Sequence, residues 1–369
     1  MRLALTIADM GPGGAQRVAA LLAGWWAGKG HEVSVVLLAP PGPGFFRLGP
    51  EVKTIGLAVL SESGNFFSAL KANAHRLLTM RRALLELAPE AVVSFMDRTN
   101  VLTLLALLGM NIPVVISERN DPARQEIGKH WRWLRGAAYK RAAAAAVVSL
   151  EAAEFLRGVA PGVPARVVPN PAPQLSERKG GPPPWGRGPV VLAVGRLSSQ
   201  KGLDVLLRAF AALADRRPEW RLALVGDGPE APALRELAGQ LGILERVSFT
   251  GNLGEPFAYA DPAQCVYALP SRYEGFPNAL LEAMCHGLPV IASDCSSAVA
   301  EMLADGRRGI MVPVEDQARL TQALDELMSD PAKRGALGQA AGEARQVYAM
   351  EKVAAQWDDL LTAVLEGRR

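Results

Sequence analysis

The chain has 369 residues, more than one hydrophobic core usually serves, so two domains are expected. Its 49% apolar content suffices for packed α/β layers, while no apolar run approaches the roughly 18 residues that a membrane span needs. The net charge of +3 is unevenly spread: residues 1–170 carry 19 Lys/Arg against 12 Asp/Glu, and residues 171–369 carry 21 against 25. A basic first half points to an anionic partner or membrane surface. The bases are not in blocks and no nucleic-acid motif appears, so nucleic acid is not expected. Cys265, Cys285 and Cys295 show no metal spacing and leave an odd thiol, which fits a reducing cytoplasm. The histidines are scattered, and no metal site is expected.

The opening LALTIA meets Asp9 at once and reads as a first strand rather than a signal peptide. Strands are predicted near Leu3–Ile7, Glu32–Leu37, Ala91–Phe95, Pro113–Ser117 and Ala146–Val148. Helices are predicted near Ala15–Lys29, Phe66–Leu87, Val101–Leu108 and Lys129–Arg141. This alternation predicts a parallel sheet with helices on both faces, where ligands bind at the carboxyl ends of strands. Three first-half loops fall there: Gly11-Pro12-Gly13-Gly14, Asp97-Arg98-Thr99-Asn100 and Glu118-Arg119-Asn120-Asp121. The last two each hold an acid, an arginine and an asparagine. They read either as a salt-bridged structural pair or as acceptor-binding groups. Lys71, His75 and Arg82 share one face of their helix, at spacings of four and seven. The segment Lys129–Arg135 mixes bases with Trp131 and Trp133. It reads either as a membrane-interface helix or as a solvated face with its tryptophans packed inward.

Residues 171–189 are rich in proline and glycine and read as an interdomain linker. The second domain then runs over 190–345. Val190–Val194 is apolar without alternation, as a buried parallel strand is. Gly195 ends it, Arg196 and Lys201 lie in the following loop, and a helix begins near Gly202. Strand, glycine-containing loop and helix is the phosphate-binding arrangement of α/β sheets. Two further strands, Arg221–Val225 and Val247–Thr250, run into Gly226-Asp227-Gly228-Pro229 and Gly251-Asn252. Glycines just past strand ends let a ligand approach the backbone closely.

The run PSRYEGFPNALLEAM begins at Pro270. Pro277 suits a first helical turn and Asn278 a helix end, so Glu274 lies in a loop and Glu282 about one turn inside a helix. Both face the space before that helix's N-terminus, where free N–H groups attract phosphate. Either glutamate alone would be an ordinary solvated acid. Two carboxylates flanking an anion site suit a sugar nucleotide.

Taken in order, GRLSSQKG, VGDGP, GN and SRYEGFPNALLEAM resemble the family 4 glycosyltransferases, retaining enzymes of the GT-B fold. The resemblance covers the second half strongly and the first more loosely. It implies two Rossmann-like, doubly wound parallel-sheet domains facing across a cleft, with a last helix over 346–369 returning toward the first domain. The catalytic groups it implies are Arg196, Lys201 and Glu274. Arg196 and Lys201 would hold the donor diphosphate, Glu282 the ribose and Glu274 the sugar hydroxyls. The backbone of Gly275, Phe276, Pro277, Asn278 and Ala279 would meet phosphates and sugar, and Gly13, Gly14, Gly226 and Asn252 complete the donor set. Acceptor candidates are Asp97, Arg98, Glu118, Arg119, Lys71, His75 and Arg82. Many relatives carry a histidine after the strand that here ends VVIS, close to the donor sugar. Glu118-Arg119 stands there instead, so Glu118, Arg119 or Asp97 substitutes for it or the role is dispensed with. No Asp-x-Asp occurs in the chain, so a metal-bound diphosphate is unsupported.

The implied reaction moves a hexose or N-acetylhexosamine from a UDP-sugar to a saccharide acceptor linked to a lipid diphosphate. It needs no cofactor and would run at the inner face of the cell membrane, in peripheral contact with anionic lipid. The competing readings are a sugar-nucleotide epimerase of the same fold, which needs no acceptor, and a degenerate transferase serving as a binding subunit.

Overall fold

The computed structural model describes residues 1–11, 13–40, 42, 44–60, 66–125, 127–175 and 177–367, the side chains of 66–71 excepted. The chain divides into two compact units, Met1–Pro171 with Met350–Arg369, and Ala172–Ala349.

In the first unit the elements run β1 (Arg2–Ile7), α1 (Gly14–Gly28), β2 (Glu32–Leu37), β3 (Lys53–Gly56), α2 (Phe66–Leu87) and β4 (Ala91–Phe95). They continue with α3 (Asp97–Ala106), β5 (Val114–Glu118), α4 (Lys129–Tyr139), β6 (Ala144–Val147), α5 (Leu150–Val159) and β7 (Ala165–Val167). The seven strands form one parallel sheet in the order β3-β2-β1-β4-β5-β6-β7. Strands β4 and β5 are buried at every position, because helices cover both faces. Val18, Leu22 and Trp26 of α1 pack on one face; Met80 and Leu84 of α2, Leu104 of α3, Tyr139 of α4 and Leu156 of α5 pack on the other.

Three first-half expectations need correction. Asp97-Arg98-Thr99-Asn100 is not a loop but the first turn of α3, because the chain reverses in one step at Met96 (φ 73°, ψ 150°) and the Asn100 N–H reaches the Met96 carbonyl at 2.8 Å. The short edge strands β3 and β7 carry too few apolar residues to stand out, and α5 follows the alanine run of β6 after two residues, Val148 and the capping Ser149.

The proline- and glycine-rich segment is not a free linker: it packs on the second unit. The Lys179 N–H donates to the Ala258 carbonyl at 3.0 Å, and Trp185, 3% exposed, lies edge-on to Tyr259. That unit comprises β8 (Val190–Val194), α6 (Leu203–Ala211), β9 (Arg221–Val225), α7 (Ala231–Gln240), β10 (Val247–Gly251), β11 (Cys265–Leu269) and α8 (Asn278–Cys285). It ends with β12 (Val290–Ser293), α9 (Ser297–Leu303), β13 (Ile310–Val312), α10 (Gln317–Ser329), α11 (Pro331–Ala341) and α12 (Ala344–Val347). Its parallel sheet has the order β10-β9-β8-β11-β12-β13. Leu206, Leu207 and Phe210 of α6 pack with Leu320, Leu324 and Leu327 of α10 over one face. The strand order reverses between β8 and β11, and such reversals open a crevice at the carboxyl ends of the strands.

The last helix, α13 (Met350–Glu366), belongs to the first unit. Its Trp357 is fully buried between Trp26 and Phe95, with ring centroids 6.2 Å from each. Both units are Rossmann-like, and no helix among the described residues is long and apolar enough to cross a membrane.

Candidate functional site

Two loops meet at the reversal point of the second sheet. After β8 the chain turns at Gly195 and makes one 3-10 turn over Ser199–Lys201, then enters α6 through Gly202 in the left-handed region (φ 60°). A Cβ on Gly202 would lie 2.1 Å from the Pro270 carbonyl oxygen, so the loop after β11 comes this close only because the residue is glycine. The Arg272 N–H donates to the Gln200 carbonyl at 2.8 Å, and Gln200 Nε2 donates to the Tyr273 carbonyl at 2.9 Å. This zipper delivers Lys201 Nζ to Glu274 Oε1 at 2.6 Å. Ser271 Oγ donates to the same oxygen at 2.7 Å, and the Ser271 carbonyl in turn accepts from Ser293 Oγ. The pair is largely desolvated, with side-chain exposures of 18% for Lys201 and 7% for Glu274. Both bonds end on Oε1, which leaves Glu274 Oε2 as an acceptor.

Just beyond lies the start of α8. Its N-cap is Pro277, one residue before the helix proper, and it supplies no side-chain cap; the first turn holds no acid. The N–H groups of Gly275, Phe276 and Ala279 have no partner among the described residues. An uncapped helix start of this kind attracts an anion. Glu282 stands half-buried about one turn inside α8, Asn278 is the helix's first residue, and Phe276 is buried edge-on against Tyr348. Arg196 and Asn252 are exposed at the ends of β8 and β10. Gly226 follows β9 directly. The space its side chain would need is filled by the Gly195 carbonyl oxygen at 2.0 Å, and its N–H donates to Gly251, so this glycine packs loop on loop. Arg196, Lys201, Gly226, Asn252, Glu274, the Gly275–Ala279 turn and Glu282 thus gather at the carboxyl edge of one sheet. Sequence reading missed Arg272, whose guanidinium binds Asp204 and Glu315, and Gln200.

In the first unit Gly13 is the N-cap of α1 and Gly14 its first residue; no side chain caps that helix, whereas Pro12 lies outside the described residues. Among the described residues the two acid-arginine segments form no salt bridge with each other, and Asp97, Glu118 and Arg119 are buried. Arg119 is 4% exposed and spent on framework contacts: Nε donates to Ser117 Oγ at 2.7 Å, and Nη1 to the Val168 carbonyl at 2.9 Å and to Asn170 at 3.1 Å. Its guanidinium also covers the Trp357 ring. Glu118 is fully buried and accepts from the Tyr139 hydroxyl, which also accepts from Asn100 Nδ2 at 3.2 Å. Asp97 is 7% exposed beside it. Arg98 is exposed, over the Trp131 ring, and Asn120 is exposed as well. Burial raises the Glu118 carboxyl from its ordinary 4.5 to about 7, with Asp97 pushing the same way and Tyr139, Arg135 and Asn100 opposing.

His75 and Arg82 are exposed on α2, and the Lys71 side chain lies outside the described residues. The basic-aromatic segment divides. Trp131 packs on the core and Arg135 is buried against Phe155, while Lys129, His130, Arg132 and the 72% exposed Trp133 form an open face. Among the described residues no cluster of three or more His, Cys, Asp or Glu could hold a metal. The three cysteines are free thiols.

Comparison with known proteins follows this division. Residues 13–171 match the family model "Glycosyl transferase 4-like domain", and residues 188–330 match "Glycosyl transferases group 1". Over 365 residues, 99% of both chains, the sequence is 26% identical to a Campylobacter jejuni protein named GalNAc-alpha-(1->4)-GalNAc-alpha-(1->3)-diNAcBac-PP-undecaprenol alpha-1,4-N-acetyl-D-galactosaminyltransferase. Several other bacterial relatives align over about half of their own length or less. Among solved structures, sucrose-phosphate synthase from Thermosynechococcus elongatus superposes with a TM-score of 0.81 at 20% identity, covering 99% of each chain. Anabaena HepE in complex with UDP superposes at 0.75 and 19% identity, covering 98% of this chain and all of that one. The fold is GT-B.

The raised Glu118 carboxyl makes stability depend on pH. The folded chain keeps this proton up to about pH 7, while the unfolded chain releases it near 4.5, so stability falls as pH rises between the two. Glu118→Gln removes that slope. Relative to wild type, the variant is expected to gain on the order of 2 kcal/mol between pH 5 and pH 8. Denaturant unfolding of both proteins at the two pH values checks this, and parallel pH profiles would show that Glu118 is ionised in the folded chain.

Proposed function

The chain belongs to the group 1 glycosyltransferases, with a glycosyl transferase 4-like domain ahead of its group 1 domain, and we propose that it moves a hexose or N-acetylhexosamine from a UDP-sugar to a hydroxyl of a saccharide linked to a lipid diphosphate. One observation carries the reading: an ammonium and a carboxylate held 2.6 Å apart beside an uncapped helix start. In this reading Arg196, Lys201 and the free N–H groups before α8 take the diphosphate. Glu274 Oε2 accepts from a sugar hydroxyl, and Glu282 takes the ribose. The bond from the sugar's anomeric carbon to the diphosphate oxygen breaks while a bond to the acceptor oxygen forms, with retention of configuration. Negative charge then builds on the leaving UDP, where preorganised cations and N–H groups lower the barrier most. The chain's likeness to UDP-bound HepE supports the nucleotide, and the Campylobacter relative supports the lipid-linked acceptor.

Glu282→Ala is expected to weaken binding of UDP itself. Glu274→Ala is expected to leave UDP binding nearly intact and to lower turnover on the order of a hundredfold, the scale of one lost transition-state contact. Calorimetry and turnover on both variants decide it, and equal loss of UDP affinity would refute the division of labour.

The reaction is proposed to need no metal, since the sequence lacks Asp-x-Asp and the cations of the loop supply positive charge. Turnover is expected to persist in excess chelator. Complete loss restored by added Mg²⁺ contradicts this.

Peripheral contact with anionic membrane at its inner face is proposed for the first unit. The support is its excess of bases and the open α4 face of Lys129, His130, Arg132 and Trp133. Each base near such a surface adds about 1 kcal/mol, and the attraction fades over about 8 Å at physiological salt. Anionic vesicles are expected to sediment the protein at low salt and to release it at high salt. A variant with Arg82→Glu, Arg132→Glu and Trp133→Ala is expected to stay in solution. Equal sedimentation of both proteins removes these residues from the contact.

A further inference from the structure

Arg272 lies two residues before Glu274, yet its guanidinium turns to three other segments. Nη1 donates to the Ser199 carbonyl at 2.6 Å and to Asp204 Oδ1 at 3.0 Å, Nη2 donates to Asp204 Oδ2 at 2.9 Å, and Nε donates to Glu315 Oε1 at 2.8 Å. Ser199 belongs to the turn that carries Lys201. Asp204 lies in the first turn of α6, and Glu315 sits after β13 in the left-handed region (φ 61°). One side chain therefore ties the loops after β8, β11 and β13 together.

We propose that Arg272 is a positioning residue that fixes the separation of Lys201 and Glu274, so that the diphosphate and sugar ends of one donor are met at once. This rests on the donor-site reading above. Lys201 is a charge on a four-carbon stem with many rotamers, and it acts as a preorganised group only if its loop is held. Close to Lys201 the loop is held by the two Gln200 bonds, the Gly202 contact with Pro270, and Arg272. The geometry calls for arginine. A planar guanidinium can bind Asp204 through two nitrogens while reaching the Ser199 carbonyl and Glu315, whereas an ammonium cannot span these directions. Burial pushes Asp204 toward protonation, and the Arg272 bonds overcome it and hold the carboxyl below its ordinary range, so the clamp stays charged at neutral pH.

The test separates placement from charge. Arg272→Met with Asp204→Asn removes the clamp and leaves net charge unchanged, and Arg272→Lys keeps the charge alone. Calorimetry with inorganic pyrophosphate and with UDP reads the phosphate site without needing the donor sugar. Both variants are expected to bind pyrophosphate about tenfold more weakly than wild type, with thermal unfolding confirming a folded protein. In a Lys201→Ala background the same changes are expected to have no further effect on pyrophosphate, because the residue being positioned is gone. Affinity equal to wild type in either folded variant overturns the proposal. So does the same loss with and without Lys201, which marks a general structural role. If the double variant fails to fold, Arg272→Lys decides by the same criteria. Failure of the wild-type protein to bind either pyrophosphate or UDP overturns the donor-site reading, and this inference with it.

Discussion

The second unit's site exists because two loops touch backbone to backbone. With 2.1 Å between the position of a Gly202 Cβ and the Pro270 carbonyl oxygen, any side chain there would force the loops after β8 and β11 apart. The same device recurs one strand over, where Gly226 and Gly228 lie against the carbonyls of Gly195 and Leu197. Three strand ends are thus stacked with little side-chain packing between them. What the glycines remove in bulk, hydrogen bonds replace in direction, through Gln200 and Arg272.

That arrangement gives the Lys201–Glu274 pair its meaning. A desolvated ion pair adds little to stability, because the loss of hydration offsets the attraction. The chain keeps two opposite charges in contact where a pair of apolar groups would hold the loops as well, and leaves an uncapped helix start beside them. The first unit handles its buried charges otherwise. Arg119 is enclosed by two carbonyl-type oxygens, a hydroxyl and an indole, and Glu118 is turned into a near-neutral acid. One arrangement sets two opposite charges in contact; the other surrounds each charge with neutral groups.

Much of this was legible in the chain. The apolar runs of β1, β4, β8 and β9 announced parallel strands, and the spacing of Gly195, Lys201, Glu274, Gly275 and Glu282 announced the carboxyl-edge site, because each signal is local. What escaped is what depends on distant partners. Arg272 drew no notice, because its partner Asp204 lies 68 residues away. Glu118 and Arg119 looked like site residues because they follow a strand, yet their surroundings come from Tyr139, Val168, Asn170 and Trp357. The first turn of α3 was hidden by Met96, whose left-handed backbone no residue pattern advertises. Proline content marked residues 171–189 as non-helical but could not tell that Trp185 anchors the segment to the second unit.

The first unit is discontinuous in the chain. Trp357, which fills the space between Trp26 and Phe95, is encoded after the whole of the second unit. During synthesis the second unit, 172–349, is complete and can collapse on its own while the first still lacks part of one face of its core. The unit made first is therefore the unit finished last. Until α13 docks, the apolar surface around Trp26 and Phe95 stays open to solvent, a surface that a nascent chain has to keep from other chains.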